Sequence, residues 1–312
     1  MRTGCVRALT ALFAIGMLGA AYVSAADFEL IGRIQPERPL PVFLQGATAP
    51  FHAATEADET GRFHFRKLTA GTYVVMVGGI QRTVEVGPSL ADSRRRVTIT
   101  IDLAGDNFEP RARVSVRELA VPESARREYE EAEKALGRRD ATAAVGHLKR
   151  AVELAPAFSA AWNHLGTVAY QTGQYAEAES DFRKALDVDP DAYAPLVNLG
   201  GVLINLGKLD EALDCNLRAV RKSPGDALAN SQLGMTYFAK SQLDLAEQYL
   251  TAAKRIDPSH FSHPQLILAE IHLRRNDPKA AARELEDLLA RHPDLAEASK
   301  IKDEIARLRA GN

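Results

Sequence analysis

The sequence predicts two domains of different class, an all-β sandwich followed by an all-α solenoid. Three observations carry that reading. Up to about residue 118, apolar residues alternate with period two in short runs separated by glycine-rich turns. Beyond Ser124 the period becomes that of a helix. The helical part also repeats itself: Pro156, Pro190, Pro224 and Pro258 stand 34 residues apart. Ala144, Ala178, Ala212 and Ala246 keep the same step, as do Gly166, Gly200 and Gly234. A fixed period of that length marks one supersecondary unit copied and stacked on its neighbours. A stack presents an elongated surface rather than a catalytic pocket, so the repeat points to partners before chemistry.

At 312 residues the chain has room for two domains, and its formal net charge is −2. That balance lacks the basic excess of a nucleic-acid binder, so no nucleic-acid partner is expected. The run Arg94–Arg96 reads as a solvated strand end.

The first residues form a separate segment. Arg2 and Arg7 precede an uncharged, mostly apolar stretch from Ala8 to Ala26, which closes on Val23-Ser24-Ala25-Ala26 before Asp27. This is the pattern of a signal peptide over residues 1–25, cleaved after Ala25 or Ala26, and it predicts a periplasmic or secreted protein. Residues 8–26 are also just long enough to span a bilayer, although Gly16 and Gly19 weaken such a span. Contact with a membrane is therefore expected only if the segment is retained. With Cys5 in the leader, Cys215 stands alone in the mature chain and no intrachain disulfide is expected. Its place on the second helix of a repeat reads as a small core residue.

The β domain is predicted over residues 27–118. Candidate strands are Phe28–Ile34, Leu40–Leu44, Arg62–Arg66, Thr72–Val77, Arg82–Val86, Arg96–Leu103 and Arg113–Val116. Short strands with frequent turns predict an antiparallel sandwich. In the stretch from Asp58 to Tyr73, Gly61 closes a turn, Phe63 and Phe65 share a face, and Gly71 opens a turn before Tyr73, Val75 and Val77. That sequence resembles carboxypeptidase regulatory-like domains, which are prealbumin-like accessory sandwiches with starch-binding-like relatives. The resemblance implies a carbohydrate-binding-like fold and a possible glycan partner. Against it, the aromatics occupy core positions and no Trp is available to stack on a sugar.

The helical domain is predicted over residues 124–295. The unit from Ser159 to Ala192 carries Trp162, Leu165, Gly166, Ala169, Tyr170, Gly173, Tyr175, Ala178, Phe182, Ala185 and Pro190. These residues resemble the tetratricopeptide repeat (TPR). Small Gly166 and Ala178 let two helices approach, Gly173 turns the chain, and Pro190 ends the second helix. Five units are expected, at about 125–158, 159–192, 193–226, 227–260 and 261–295. In the third, Asn216 replaces the usual aromatic, and the fifth slips by one residue near His260–Pro264. Residues 296–312 read as a helix that caps the last apolar face.

In the repeat family the first helix of each unit lines a concave face, left open to visitors. The resemblance places Tyr129, Glu133, Leu136, Asn163, Thr167, Tyr170, Val197, Gly201 and Ile204 on that stripe, with Asn205 beside it. Ser231, Met235, Phe238, Leu266, Glu270 and Leu273 continue it. Such a surface suits a peptide or protein partner with apolar side chains. Asn163 and Asn198 are present without a Lys or Arg pair, so a carboxylate clamp is not expected.

Signals for catalysis are weak. Gly87-Pro-Ser-Leu-Ala91 lacks the final glycine of a nucleophile elbow and reads as a turn. His260 and His263 lie near His272, but no Cys or acidic group completes a tetrahedral site. No catalytic residue, metal or cofactor is expected. The predicted function is an exported protein–protein interaction adaptor, with glycan recognition by the sandwich as the alternative.

Overall fold

The computed structural model describes residues 28–103 and 121–310. Within them seven strands precede eleven helices. The leader, the Arg113–Val116 strand and the turn at Gly105 lie outside the described residues.

The strands are β1 (Phe28–Gln35), β2 (Pro41–Gly46), β3 (His52–Glu56), β4 (Arg62–Leu68), β5 (Gly71–Val77), β6 (Ile80–Val86) and β7 (Arg96–Asp102). Two sheets form, in the orders β4-β1-β7 and β3-β2-β5-β6. Leu30, Ile34, Val42, Leu44, Phe63, Phe65, Tyr73, Val75 and Ile101 fill the space between them. The sandwich is antiparallel except at one ladder, where β1 and β7 run parallel with Leu30 opposite Val97. The sequence alone did not distinguish that pairing. Nor did it show β3, whose His-Ala-Ala-Thr-Glu run has no apolar alternation. It forms as an edge strand on β2, with Phe43 opposite Ala54.

The helices are α1 (Glu123–Gly137), α2 (Ala141–Leu154), α3 (Ser159–Gln171), α4 (Tyr175–Val188), α5 (Tyr193–Asn205) and α6 (Leu209–Lys222). They continue as α7 (Ala227–Ala239), α8 (Leu243–Ile256), α9 (Pro264–Arg274), α10 (Pro278–Arg291) and α11 (Ala298–Ala310). Consecutive helices pair as hairpins. Each hairpin turn needs one residue in the left-handed region: Arg139 (φ 60°), Gly173 (φ 78°), Gly207 (φ 71°), Ser241 (φ 61°) and Asn276 (φ 63°). Glycine adopts that conformation freely, whereas Arg and Ser do so against a steric penalty.

Close approach of the paired helices explains the repeated small residues. A Cβ placed on Gly166 would lie 2.7 Å from the Phe182 ring, and one on Gly234 would lie 2.7 Å from Leu250. Phe182 is 1% exposed; burying a side chain of this kind contributes about 1.5–3 kcal/mol. The matching position in the third unit is Asn216, fully buried, with its amide donating to Thr236 Oγ1 (3.0 Å) and its Oδ1 without a partner. Cys215 beside it is a buried free thiol. At the end of the stack, α11 lays Ile301 and Leu308 against Leu285 and Leu288.

Candidate functional site on the inner wall of the solenoid

The inner wall is built from the odd-numbered helices α1 to α9, and the sandwich sits against it. The register of β2, β5 and β6 decides which side chains face the helices. Leu44, Val75 and Val84 point into the sandwich core, so their neighbours Phe43, Gln45, Val74, Met76, Gln81, Thr83 and Glu85 point the other way. The wall expected to stand open is therefore covered along much of its length by the chain's own sheet β3-β2-β5-β6. The sequence carried one signal of this: Val74 and Met76 make β5 apolar on both faces, as in strands buried on both sides.

Contacts run diagonally across the repeats. At the first units, Gln171 Nε2 donates to the Gly46 carbonyl at 2.8 Å. Arg139 donates to the Tyr73 hydroxyl at 2.7 Å and lies 4.5 Å from the centre of the Phe51 ring. At the later units, the Thr83 amide donates to Asp257 Oδ2 (2.9 Å), and His292 Nδ1 meets Glu85 Oε2 at 2.8 Å. Ser89 donates its amide to Asp294 Oδ2 (3.0 Å) and its hydroxyl to Asp294 Oδ1 (2.5 Å). The Gly87–Ala91 segment is thus a turn that ties the sandwich to the far end of the stack.

Histidines concentrate along this contact. His164 lies between Tyr129 (ring centres 5.1 Å, stacked) and His52 (6.1 Å). Burial, helped by His52, lowers its pKa to about 4. His263 packs edge-on against His292 at 4.5 Å, and burial with the neighbouring His292 and His260 lowers its pKa to about 3. His260 is lowered to about 4, chiefly by burial. Glu133, 3.8 Å from His52, is raised by burial and then by Glu130. Among the described residues no group of three or more His, Cys, Asp or Glu is arranged to hold a metal.

Of the residues expected on the stripe, Leu136, Gly201 and Glu270 are buried, and three further sets can be told apart. Asn163, Thr167, Tyr170 and Val197 line a cavity of about 210 Å³ between the wall and the sheet, together with Gln45, Val74, Met76 and Gln81. Inside it Asn198 donates to Asn163 Oδ1 (3.1 Å), and from outside its lining Asn205 donates to the Tyr170 hydroxyl (3.2 Å). Tyr129 and Ser231 instead serve packing. Tyr129 is wedged between Phe158 and His164, and Ser231 is fully buried with its hydroxyl 2.6 Å from that of Ser262. The expected place of Ser231 on an open surface is corrected, since neighbouring side chains enclose it, whereas Tyr129 stays partly exposed. The third set is Ile204, Asn205, Met235 and Phe238, on the C-terminal halves of α5 and α7, past the residues that meet the sheet, and partly exposed. Arg274 lies over the Phe238 ring at 4.5 Å. Residues that sequence reasoning missed are the sheet face itself, Asp226, Gln232 and Phe261.

On the sandwich, Phe63, Phe65 and Tyr73 are buried, and Phe43 (39% exposed) is its exposed large aromatic among the described residues. One ring is a poor platform for a sugar.

Hairpin units of this kind, repeated in register, define a helical-repeat scaffold. Tetratricopeptide repeat profiles match residues 129–195, 165–227, 197–261 and 262–287. Together these cover half the chain, and the chain belongs to the tetratricopeptide repeat family, whose members bind protein or peptide partners. It is 31% identical over 109 residues to the TPR repeat-containing thioredoxin TTL4 of Arabidopsis thaliana, matching 35% of this chain and 16% of that protein. It is 28% identical over 104 residues to a TPR repeat-containing protein of Rhizobium etli, matching 33% of this chain and 51% of that one. The chain thus spans about half or less of these relatives.

Solved structures share the fold. The type IV pilus biogenesis factor PilW superposes with TM-score 0.51 at 20% identity, over 61% of this chain and 92% of PilW. MamA from Desulfovibrio magneticus RS-1 gives 0.50 at 22% identity, over 57% and 99%.

Proposed function

We propose that this protein is a non-enzymatic scaffold that seats a partner segment on the uncovered part of its inner wall. One observation supports this most: Ile204, Met235 and Phe238 form a partly exposed apolar stripe on α5 and α7, beyond the edge of the docked sheet. Phe238 is its central anchor, since aromatic side chains in a pocket give the largest truncation effects at interfaces. In this reading the sandwich is an accessory domain of the carboxypeptidase regulatory-like kind that narrows the groove and fixes where the partner enters.

The test compares tagged wild type with Met235→Ala/Phe238→Ala in purification from native cells, followed by mass spectrometry. A partner held in the groove is depleted at least about tenfold in the variant. Equal recovery contradicts the site.

Export is part of the same proposal and rests on Arg2, Arg7 and the apolar stretch to Ala26. N-terminal sequencing of the cellular protein tests it: a mature terminus at Ala26 or Asp27 is expected, and a retained Met1 contradicts cleavage.

A further inference from the structure

The cavity between the sheet and the wall has a composition of its own. Gln45, Gln81, Asn163, Asn198, Gln232 and Asp226 supply amide and carboxylate groups, while Tyr170, Tyr193 and Phe261 supply rings. No lysine or arginine lines it, so Asp226 gives it a single negative charge. Gln232 is 8% exposed, and its Oε1 has no hydrogen-bond partner. A buried acceptor left unpaired costs about 1–3 kcal/mol, which a ligand's donor would recover once the Gln232 amide turns toward the cavity. Asp226 caps α7 by accepting from the Ala229 amide at 2.8 Å. Burial raises its pKa, as expected of a carboxylate with no cation beside it.

The geometry points to a binding site for one cationic side chain, an arginine above all, in the cavity formed jointly by the sandwich and the solenoid. The volume of about 210 Å³ falls below the roughly 300–1,000 Å³ of pockets for drug-sized molecules, so it suits one side chain. A guanidinium offers five donors in a plane, matching several fixed acceptors, and stacks on aromatic faces. Tyr170, Tyr193 and Phe261 provide those faces, and Asp226 with Gln232 provides the acceptors. The inference deepens the scaffold reading and rests on it for its ligand: the arginine belongs to the partner segment, one end of which enters under the sheet.

The test titrates the full chain with N-acetyl-arginine amide and, separately, with N-acetyl-citrulline amide, its neutral isostere, following amide shifts by NMR. The arginine probe is expected to bind saturably and about tenfold tighter than citrulline, with shifts at Gln232 and Tyr170. Asp226→Asn keeps a good helix cap and should abolish the preference. Gln232→Met keeps the volume and should weaken the arginine probe severalfold. Equal binding of citrulline, an unchanged preference in Asp226→Asn, or shifts confined to other surfaces would overturn the site. The probe needs no partner, so its failure is separate from failure of the groove: a partner lost from Met235→Ala/Phe238→Ala while arginine does not bind would keep the scaffold and remove the pocket.

Discussion

The two sheets of the sandwich share one core but differ on their outer faces. On β4-β1-β7 the outward residues are mostly polar, Glu29, Arg33, His64, Arg66, Thr98 and Thr100 with Ile31 among them, and the Glu29–His64 pair at 3.0 Å faces water. On β3-β2-β5-β6 Gln45, Val74, Met76, Thr83 and Glu85 are set against the solenoid, while Phe43 stays exposed. One face follows the usual alternation of a half-solvated sheet, and the other does not. The difference teaches that the second sheet is a docking face, and that the family's open groove is here partly an interdomain interface.

The largest expected effect comes from attacking that face. Val74→Asp keeps the sandwich core intact and sets a second carboxylate into the cavity that holds Asp226. Placing an uncompensated charge in a contact of this kind costs several kcal/mol. Hydrogen exchange on α3 and α5 should rise sharply, while protection in β1 and β4 stays. The matching change on the water-facing sheet, Thr98→Asp, should leave α3 and α5 unchanged; equal effects of the two would erase the comparison.

Acid should act next. His164, His260 and His263 have folded pKa values of about 4, 4 and 3, below the usual 6.5. Each takes up its proton in the unfolded chain first. The stability they confer is whole above pH 6.5 and is lost as pH falls toward 4. Each imidazole then removes up to about 1.4 kcal/mol per pH unit. Melting temperature measured from pH 7 to pH 4.5 should fall steadily, and His164→Asn/His263→Asn should flatten the slope. A level profile would contradict the buried neutral histidines.

Two smaller changes should leave docking untouched. Asn216→Leu places at the third unit the leucine that Leu148 and Leu250 supply elsewhere, and removes the unpaired Oδ1. Thr236 retains its bond to the Gln232 carbonyl (2.8 Å). Denaturant unfolding should show a gain of about 1–2 kcal/mol. Ser241→Gly relieves a left-handed residue at an exposed turn and should add about 0.5–1 kcal/mol.

Much of the architecture was legible because repetition is a strong signal. Prolines, alanines and glycines at one step define the helix hairpins, and Gly166 against Phe182 shows why the step is kept. The candidate site was legible only in part. Spacing put Asn163, Thr167, Tyr170 and Val197 on one stripe, because a helix face follows from its period. What covers the stripe depends on contacts between residues more than a hundred positions apart, such as Gly46 with Gln171. Local pattern carries no record of those contacts beyond the two-faced β5. Ser231 was misplaced for a related reason, since whether a stripe residue is enclosed depends on neighbours such as Ser262.

The central claim, docking of the second sheet across the inner wall, can be tested by a single crosslink. A Cβ built on Gly87 lies 3.5 Å from the Asp294 Cβ, within the range a disulfide spans. Gly87→Cys/Asp294→Cys in the full chain should therefore close spontaneously under mild oxidation and change mobility on a non-reducing gel, with Cys215 buried and inert. A pair that stays reduced, while the protein remains folded, would contradict the docked arrangement.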